Sequence, residues 1–207
     1  MAKKAVIFDL GRVLFDYDEQ MLTSFSVSDP EECRRVSEVV FDRLYWDRLD
    51  KGTIEEAEIF SEIDRRLPKE LAEKGKEAYT NWPWHLPEVP GIRALVEELH
   101  DAGVPIYVLS NISIYFAENY RKVPHVASLL NLFDGLVFSG PVHLVKPDPA
   151  IFTYILEKYG LKAEECVFID DNPNNTSAAE TLGITTWQFR YDVPELTVFL
   201  HKMLKTQ

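Results

Sequence analysis

The chain has 207 residues, 46% of them hydrophobic and 27% charged, which suits one globular core or a core carrying a small insertion. Its net charge of −12 argues against nucleic acid or an anionic membrane surface as partner, because both require a basic face. Two cysteines make no disulfide framework, no Cys/His cluster suggests zinc, and no apolar run approaches the length of a membrane span.

Met1-Ala2-Lys3-Lys4 leads into the apolar run Ala5-Val6-Ile7-Phe8 with no signal-peptide pattern. With Cys33 and Cys166 expected as free thiols, a reducing, cytoplasmic setting is the expectation. The run reads as a buried strand that stops on Asp9 and turns at Leu10-Gly11. A parallel sheet binds its ligands outside the carboxyl ends of its strands, so Asp9 stands where chemistry is expected.

From about Asp16 to Pro90 the pattern is helical only, and the stretch is too long for a loop inside a compact domain. Asp29-Pro30-Glu31-Glu32 and Thr53-Ile54-Glu55-Glu56 both fit a capping box, Val36/Val40 and Ile59/Ile63 keep helical spacing, and Leu67-Pro68 and Trp82-Pro83 punctuate. This predicts an inserted helical unit over residues 16–88, with the core formed by 1–15 and 89–207.

Beyond it, strands are predicted at Pro105–Leu109, Gly135–Phe138, Cys166–Ile169 and Ile184–Phe189. Helical patterns alternate with them. Ile92, Val96 and Leu99 precede the stop Ala102-Gly103, and Asp148-Pro149 opens a helix whose inward face is Ile151, Phe152, Ile155 and Tyr159. Leu196, Phe199, Leu200 and Met203 form the stripe of a last helix. Strand–helix alternation of this kind predicts an α/β fold, a doubly wound parallel sheet.

Four strand ends or following loops carry polar groups: Asp9, then Ser110-Asn111, then Lys146 before Pro147, then Asp170-Asp171. A carboxylate such as Asp9 can split phosphate hydrolysis into two displacements through an acyl phosphate. Two adjacent acids after a buried strand repel each other unless a cation or proton joins them, and an oxygen-rich site suits magnesium. The hydroxyl of Ser110 and nearby N–H groups are suited to phosphate oxygens. For each there is a plainer role: a turn cap for Asp9, an N-cap for Ser110 or for one of the acid pair, a solvated lysine for Lys146.

Taken in order, the four elements resemble the motifs of the haloacid dehalogenase-like hydrolases, and the resemblance spans nearly the whole chain. It implies a Rossmann-like core with an inserted α-helical cap and, for most members, a Mg2+-dependent phosphatase working through an aspartyl-phosphate. Carried over residue by residue, it implies Asp9 as nucleophile, Ser110, Asn111 and Lys146 on the phosphate, and Lys146 offsetting charge between nucleophile and phosphoryl group. It implies a metal held by Asp9, the carbonyl of Gly11 and Asp171, with Asp170 direct or through water and Asn175 orienting the acids. Trp46, Arg48 and the turn Asp50-Lys51-Gly52-Thr53 fall where capped members place a specificity loop, and Trp84 lies at the return to the core. Each tryptophan has core packing as its plain alternative.

One position departs from the pattern. Most phosphatases of this family carry a second Asp two residues after the nucleophile, a general acid–base typically worth about 10²–10⁴ in rate; here that position is Gly11. Three readings follow: substrates with good leaving groups, an acid from elsewhere (Asp16, Asp18 or His143), or lost activity. The Asp-Leu-Gly opening resembles a branch that includes bacterial sugar-phosphate phosphatases of the glucose-1-phosphate phosphatase type. The expectation is therefore a phosphatase for a small phosphorylated metabolite, with no nucleic acid or membrane partner, as a monomer or homodimer. A catalytically impaired phosphate-binding module is the alternative. A dehalogenase ranks lower, because dehalogenases prefer a Tyr where Gly11 stands and a Ser-rich fourth motif where Asp170-Asp171 stand.

Overall fold

The computed structural model describes residues 4–204. Five strands, β1 (Ala5–Phe8), β2 (Ile106–Ser110), β3 (Gly135–Phe138), β4 (Cys166–Asp170) and β5 (Thr185–Gln188), form one wholly parallel sheet in the order β3-β2-β1-β4-β5. The predicted strands appear within one or two residues. The chain builds outward from β1 to β3, then returns to the other side of β1 for β4 and β5. The reversal falls between β1 and β4, and a crevice at their carboxyl ends is the place such a sheet offers a ligand.

Side-chain alternation sends each strand's apolar residues to two faces. On one face Val6, Phe8, Ile106, Val108, Val167 and Ile169 join Leu95 and Leu99 of the helix Ile92–Asp101 and Leu196 and Leu200 of the helix Val193–Leu204. On the other, Ile7, Tyr107, Leu109 and Phe168 pack on Ile151, Phe152 and Ile155 of the helix Pro149–Tyr159 and on Ala179 of the helix Pro173–Thr181. Both faces are covered, as a parallel sheet requires. The fifth strand is half-buried throughout, which suits its place at the sheet edge.

Between β1 and β2 the first five helices, α1 (Glu19–Ser24), α2 (Pro30–Val40), α3 (Arg43–Asp50), α4 (Glu56–Arg66) and α5 (Lys69–Asn81), precede a short 3₁₀ turn, Trp82–His85. The chain leaves and returns side by side: Asp16 N–H donates to Pro87 O (2.8 Å) and Val89 N–H to Leu14 O (3.0 Å). Asp29 caps α2 as predicted, accepting from Glu31 N–H (3.0 Å) and Glu32 N–H (2.9 Å). The capping box at Thr53 does not form. Its hydroxyl donates instead to Arg48 O at the end of α3 (3.1 Å), and α4 begins three residues later at Glu56. Val36, Val40, Ile59, Ile63 and Tyr79 bury the inner faces of these helices in an apolar cluster continuous with one sheet face. Among the described residues no helix is long and apolar enough to cross a membrane.

Candidate functional site

β1 ends where its pattern turns polar, and the amide of Asp9 donates to Ile169 O (2.8 Å), pinning the end of β1 to that of β4. Leu10 N–H donates to Asp9 Oδ1 (2.7 Å), which aims the carboxylate outward from the sheet. One strand away, β4 delivers Asp170, whose side chain is 0% exposed. It accepts from Asn175 Nδ2 at both oxygens (3.0 Å each) and from Asn172 N–H at Oδ1 (2.8 Å). Asn175 therefore orients this acid from the first turn of the following helix. That helix is capped by Asn172, which accepts from Asn174 N–H (3.0 Å), so neither acid of the pair has to serve as its N-cap.

Lys146 is buried between the two strand ends. Its ammonium lies 2.8 Å from Asp9 Oδ1 and 2.6 Å from Asp170 Oδ2, so it is no solvated surface lysine. Asn111, expected among the phosphate ligands, uses both ends of its amide on the lysine's main chain. Nδ2 donates to Lys146 O (2.9 Å) and Oδ1 accepts from Lys146 N–H (2.7 Å). Asn111 thus fixes the loop that carries the cation. Ser110 is buried beside it at the end of β2.

Asp171 is only half-buried, with Arg12 Nη1 3.9 Å from its Oδ2. Carboxylate oxygens of Asp9, Asp170 and Asp171 lie within 4.8 Å of one another. Three acids so placed outnumber the nearby cations, Lys146 and Arg12, and the protonation balance reflects it. Burial pushes Asp9 up to about 7 against the pull of Lys146, with Asp170 adding to the rise. Burial and then Asp170 raise Asp171 as well. Burial works against the charge of Lys146, but Asp170 and Asp9 outweigh it and hold the ammonium protonated above its ordinary range. An all-oxygen cluster short of positive charge fits a hard divalent cation such as Mg2+.

A cavity of about 430 Å³ opens over this cluster, lined on the sheet side by Asp9, Gly11, Ser110, Lys146, Asp171 and Asn175. Residues from the first helices and the chain leading into and out of them form the facing wall: Tyr17, Arg43, Trp46, Asp47, Asp50 and Trp82. Of the recognition residues predicted from sequence, Trp46 and, from the predicted turn, Asp50 line the cavity, while Arg48 and Trp84 do not. Arg48 points outward to Glu58 (3.5 Å), and Trp84 is 48% exposed on the 3₁₀ turn, with Arg43 and Trp82 lining the wall instead. The predicted alternative acids also lie outside it. Asp16 accepts from Tyr191 Oη (2.9 Å), Asp18 caps Met21 N–H (2.6 Å), and His143 Nδ1 contacts Lys51 O (3.2 Å). Sequence reasoning passed over Arg12, held at φ 60°, a left-handed conformation costly for a residue with a side chain. It also left Asp50 as one residue of a loop; helical spacing alone does not show that its carboxyl turns inward.

The family model described as haloacid dehalogenase-like hydrolase matches residues 3–183. A sesquiterpene phosphatase of Aspergillus oryzae is 25% identical over 181 residues, covering 87% of each chain. A phosphorylated carbohydrates phosphatase of Thermotoga maritima is 25% identical, covering 87% of this chain and 82% of its own. Among solved structures, a mutant HAD family enzyme of Bacteroides thetaiotaomicron in complex with magnesium and inorganic phosphate is similar at 20% identity, with a TM-score of 0.67. The match covers 92% of this chain and 95% of that one and shows the shared fold. Sheet order, strand-end acids and the family match agree: the chain belongs to the haloacid dehalogenase-like hydrolases.

Proposed function

We propose that this protein is a magnesium-dependent phosphatase that hydrolyses a small phosphate monoester, a sugar phosphate by preference, through a phosphoryl group carried on Asp9. The observation that carries the reading is the meeting of Asp9, Asp170 and Asp171 around the buried ammonium of Lys146 at the floor of an open cavity. Asp9 attacks phosphorus and the ester oxygen leaves; water then attacks the same phosphorus, releasing inorganic phosphate and restoring the carboxylate. Lys146 neutralises the charge that gathers between Asp9 and the phosphoryl oxygens. Ser110 offers its hydroxyl to those oxygens, and Asn111 keeps Lys146 in register.

Asp9, Asp171 and the carbonyl of Gly11 would hold Mg2+, with Asp170 beside them on its hydrogen bonds from Lys146, Asn172 and Asn175. The bound ion supplies the charge that keeps Asp9 ionised and screens the substrate's phosphate from the acids. Residues 16–88 act as a cap over the site, and the setting is cytoplasmic. Two similar enzymes are named for unlike substrates, a sesquiterpene and phosphorylated carbohydrates. The polar groups of Arg43, Asp47 and Asp50 on the facing wall favour the hydroxylated one, since a hydrocarbon would take them out of water and offer no hydrogen bond in exchange. Trp46 and Trp82 add apolar edges to the same wall.

The test is a panel of phosphate esters, from hexose phosphates to isoprenyl monophosphates, assayed for phosphate release with magnesium and with chelator. Release from sugar phosphates that stops with chelator is expected. Turnover of isoprenyl esters alone overturns the substrate preference, and activity indifferent to chelator overturns the metal.

A further inference from the structure

Gly11 has no side chain to protonate a leaving group, and the cavity offers few substitutes. Its lining carboxylates are Asp9, Asp47, Asp50 and Asp171. Asp9 is the nucleophile of the proposed reaction and Asp171 belongs to the acid cluster. The side chain of Asp47 is 68% exposed and paired with Arg43 at 3.6 Å. Asp50 remains, buried on the wall that faces Asp9 and Lys146.

Its position makes little sense as structure alone. Asp50 is the last residue of α3, the end where the helix's free carbonyls favour cations and disfavour carboxylates. Among the described residues its carboxylate forms no ion pair and accepts no hydrogen bond, although Asp50 is 9% exposed. A buried acid without a partner costs stability and is retained most readily where chemistry uses it. Its main chain, by contrast, is fixed to the core. The hydroxyl of Ser139, which follows β3, donates to Asp50 O (2.5 Å) and accepts from Ile112 N–H (2.8 Å), two residues past Ser110. Gly52, at φ 66°, lets the following turn approach Gly140, whose oxygen would lie 2.3 Å from a Cβ there. Asp50 is thereby held against the same loop that carries the phosphate-side residues.

We propose that Asp50 is the general acid and base of this enzyme, doing from the helical segment what the residue at position 11 does in most relatives. The proposal rests on the phosphatase reading above. In the first step Asp9 forms its bond to phosphorus as the bridging P–O bond breaks, and the proton of Asp50 passes to the departing oxygen, so an alcohol leaves. In the second step water attacks phosphorus, Asp50 takes its proton, and the P–O bond to Asp9 breaks. Inorganic phosphate leaves, Asp9 is a carboxylate again and Asp50 is again protonated. Burial, followed by the charge of Asp47, lifts Asp50 to about 7, which lets it work in both directions near neutral pH.

The experiment compares two esters of similar shape, 4-nitrophenyl phosphate and benzyl phosphate, in the wild type, Asp50→Asn, and Asp50→Asn combined with Gly11→Asp. Nitrophenolate leaves without a proton and benzyl alcohol needs one. In Asp50→Asn, kcat/KM for benzyl phosphate should fall by about 10²–10⁴. The same variant should release a burst of nitrophenolate equal to the enzyme and then stall, with phosphate trapped on Asp9 after acid quench. Gly11→Asp should restore both steps, because a Cβ at position 11 meets nothing within 4 Å. Equal losses on the two esters with no burst, or wild-type rates on both, overturn the assignment. If the double variant stays inactive, an Asp50→Glu variant that recovers the benzyl ester sustains the assignment, and one that does not overturns it. A wild type that neither turns over nor is labelled by any ester overturns the phosphatase reading itself, and Asp50's role with it.

Discussion

Replacing Lys146 with Met keeps the length of the side chain and removes the ammonium that joins Asp9 and Asp170 at 2.8 and 2.6 Å. The lysine's side chain is 1% exposed and those of its partners 12% and 0%, so water cannot take over its role cheaply. Breaking a buried ion pair from one side costs about 3–5 kcal/mol, chiefly because the surviving charge is stranded. Here two carboxylates are stranded, but they can take up protons, and Asp170 keeps its bonds from Asn172 and Asn175, so that range serves as the expectation. For a chain of this size each kcal/mol shifts the melting temperature by about 2–4 °C, giving a fall of roughly 6–20 °C.

Thermal unfolding followed by circular dichroism at pH 7.5, without metal, reads this directly. The deficit should shrink on acidification, since both freed acids can then be protonated, and shrink again with magnesium. Adding Asp170→Asn to the variant should recover part of the loss, because the two residues share one interaction. A Lys146→Met protein that melts with the wild type at pH 7.5, or whose deficit ignores pH, would refute the idea that this ammonium offsets the acid cluster.

Asp9→Asn should fold normally and show no steady-state phosphate release, so turnover by a preparation free of wild type would exclude the acyl-phosphate route. Asp171→Asn should weaken magnesium binding, read by calorimetry, with little change in melting temperature, because its side chain is only half-buried. Asp170→Asn should lower the melting temperature instead, since that acid anchors Lys146, Asn172 and Asn175; the reverse ranking would exchange their roles. Asp9 and Asp50 both sit near 7 when folded, against ordinary values of 3.8. Between those values the folded chain keeps protons that the unfolded chain has lost, so their contribution to stability is full below about pH 4 and declines as pH rises through 7. Metal-free Asp50→Asn should therefore gain on the wild type at pH 8 more than at pH 5, and a difference constant with pH would count against a raised Asp50.

The sheet was legible because its signal is local. Five short apolar runs, each ending in a turn or a polar residue, need no knowledge of the rest of the chain, and the structure ends them within one or two residues of the expectation. The nearness of Asp9 and Asp170 was legible for a related reason, since paired parallel strands deliver their ends to one edge; the places of Lys146 and Asn175 came from the resemblance, and the structure sets both against Asp170. Thr53 shows where this stops. Its capping pattern was correct as a pattern, but Arg48 O took the hydroxyl, and a competition between two helix ends is not visible in either one. The facing wall is harder still. Arg43 and Arg48, or Trp82 and Trp84, are interchangeable by composition, and which one turns inward depends on how α3 and the 3₁₀ turn rotate against a core formed much later in the sequence. Asp50 is the sharpest case. A place in the turn Asp50-Lys51-Gly52-Thr53 does not tell where its carboxyl points, and Ser139, 89 positions downstream, fixes its main chain against the loop after β2. That long-range hydrogen bond and the close approach of Gly52 to Gly140 together hold Asp50 on the wall that faces Gly11, the position that has no carboxyl.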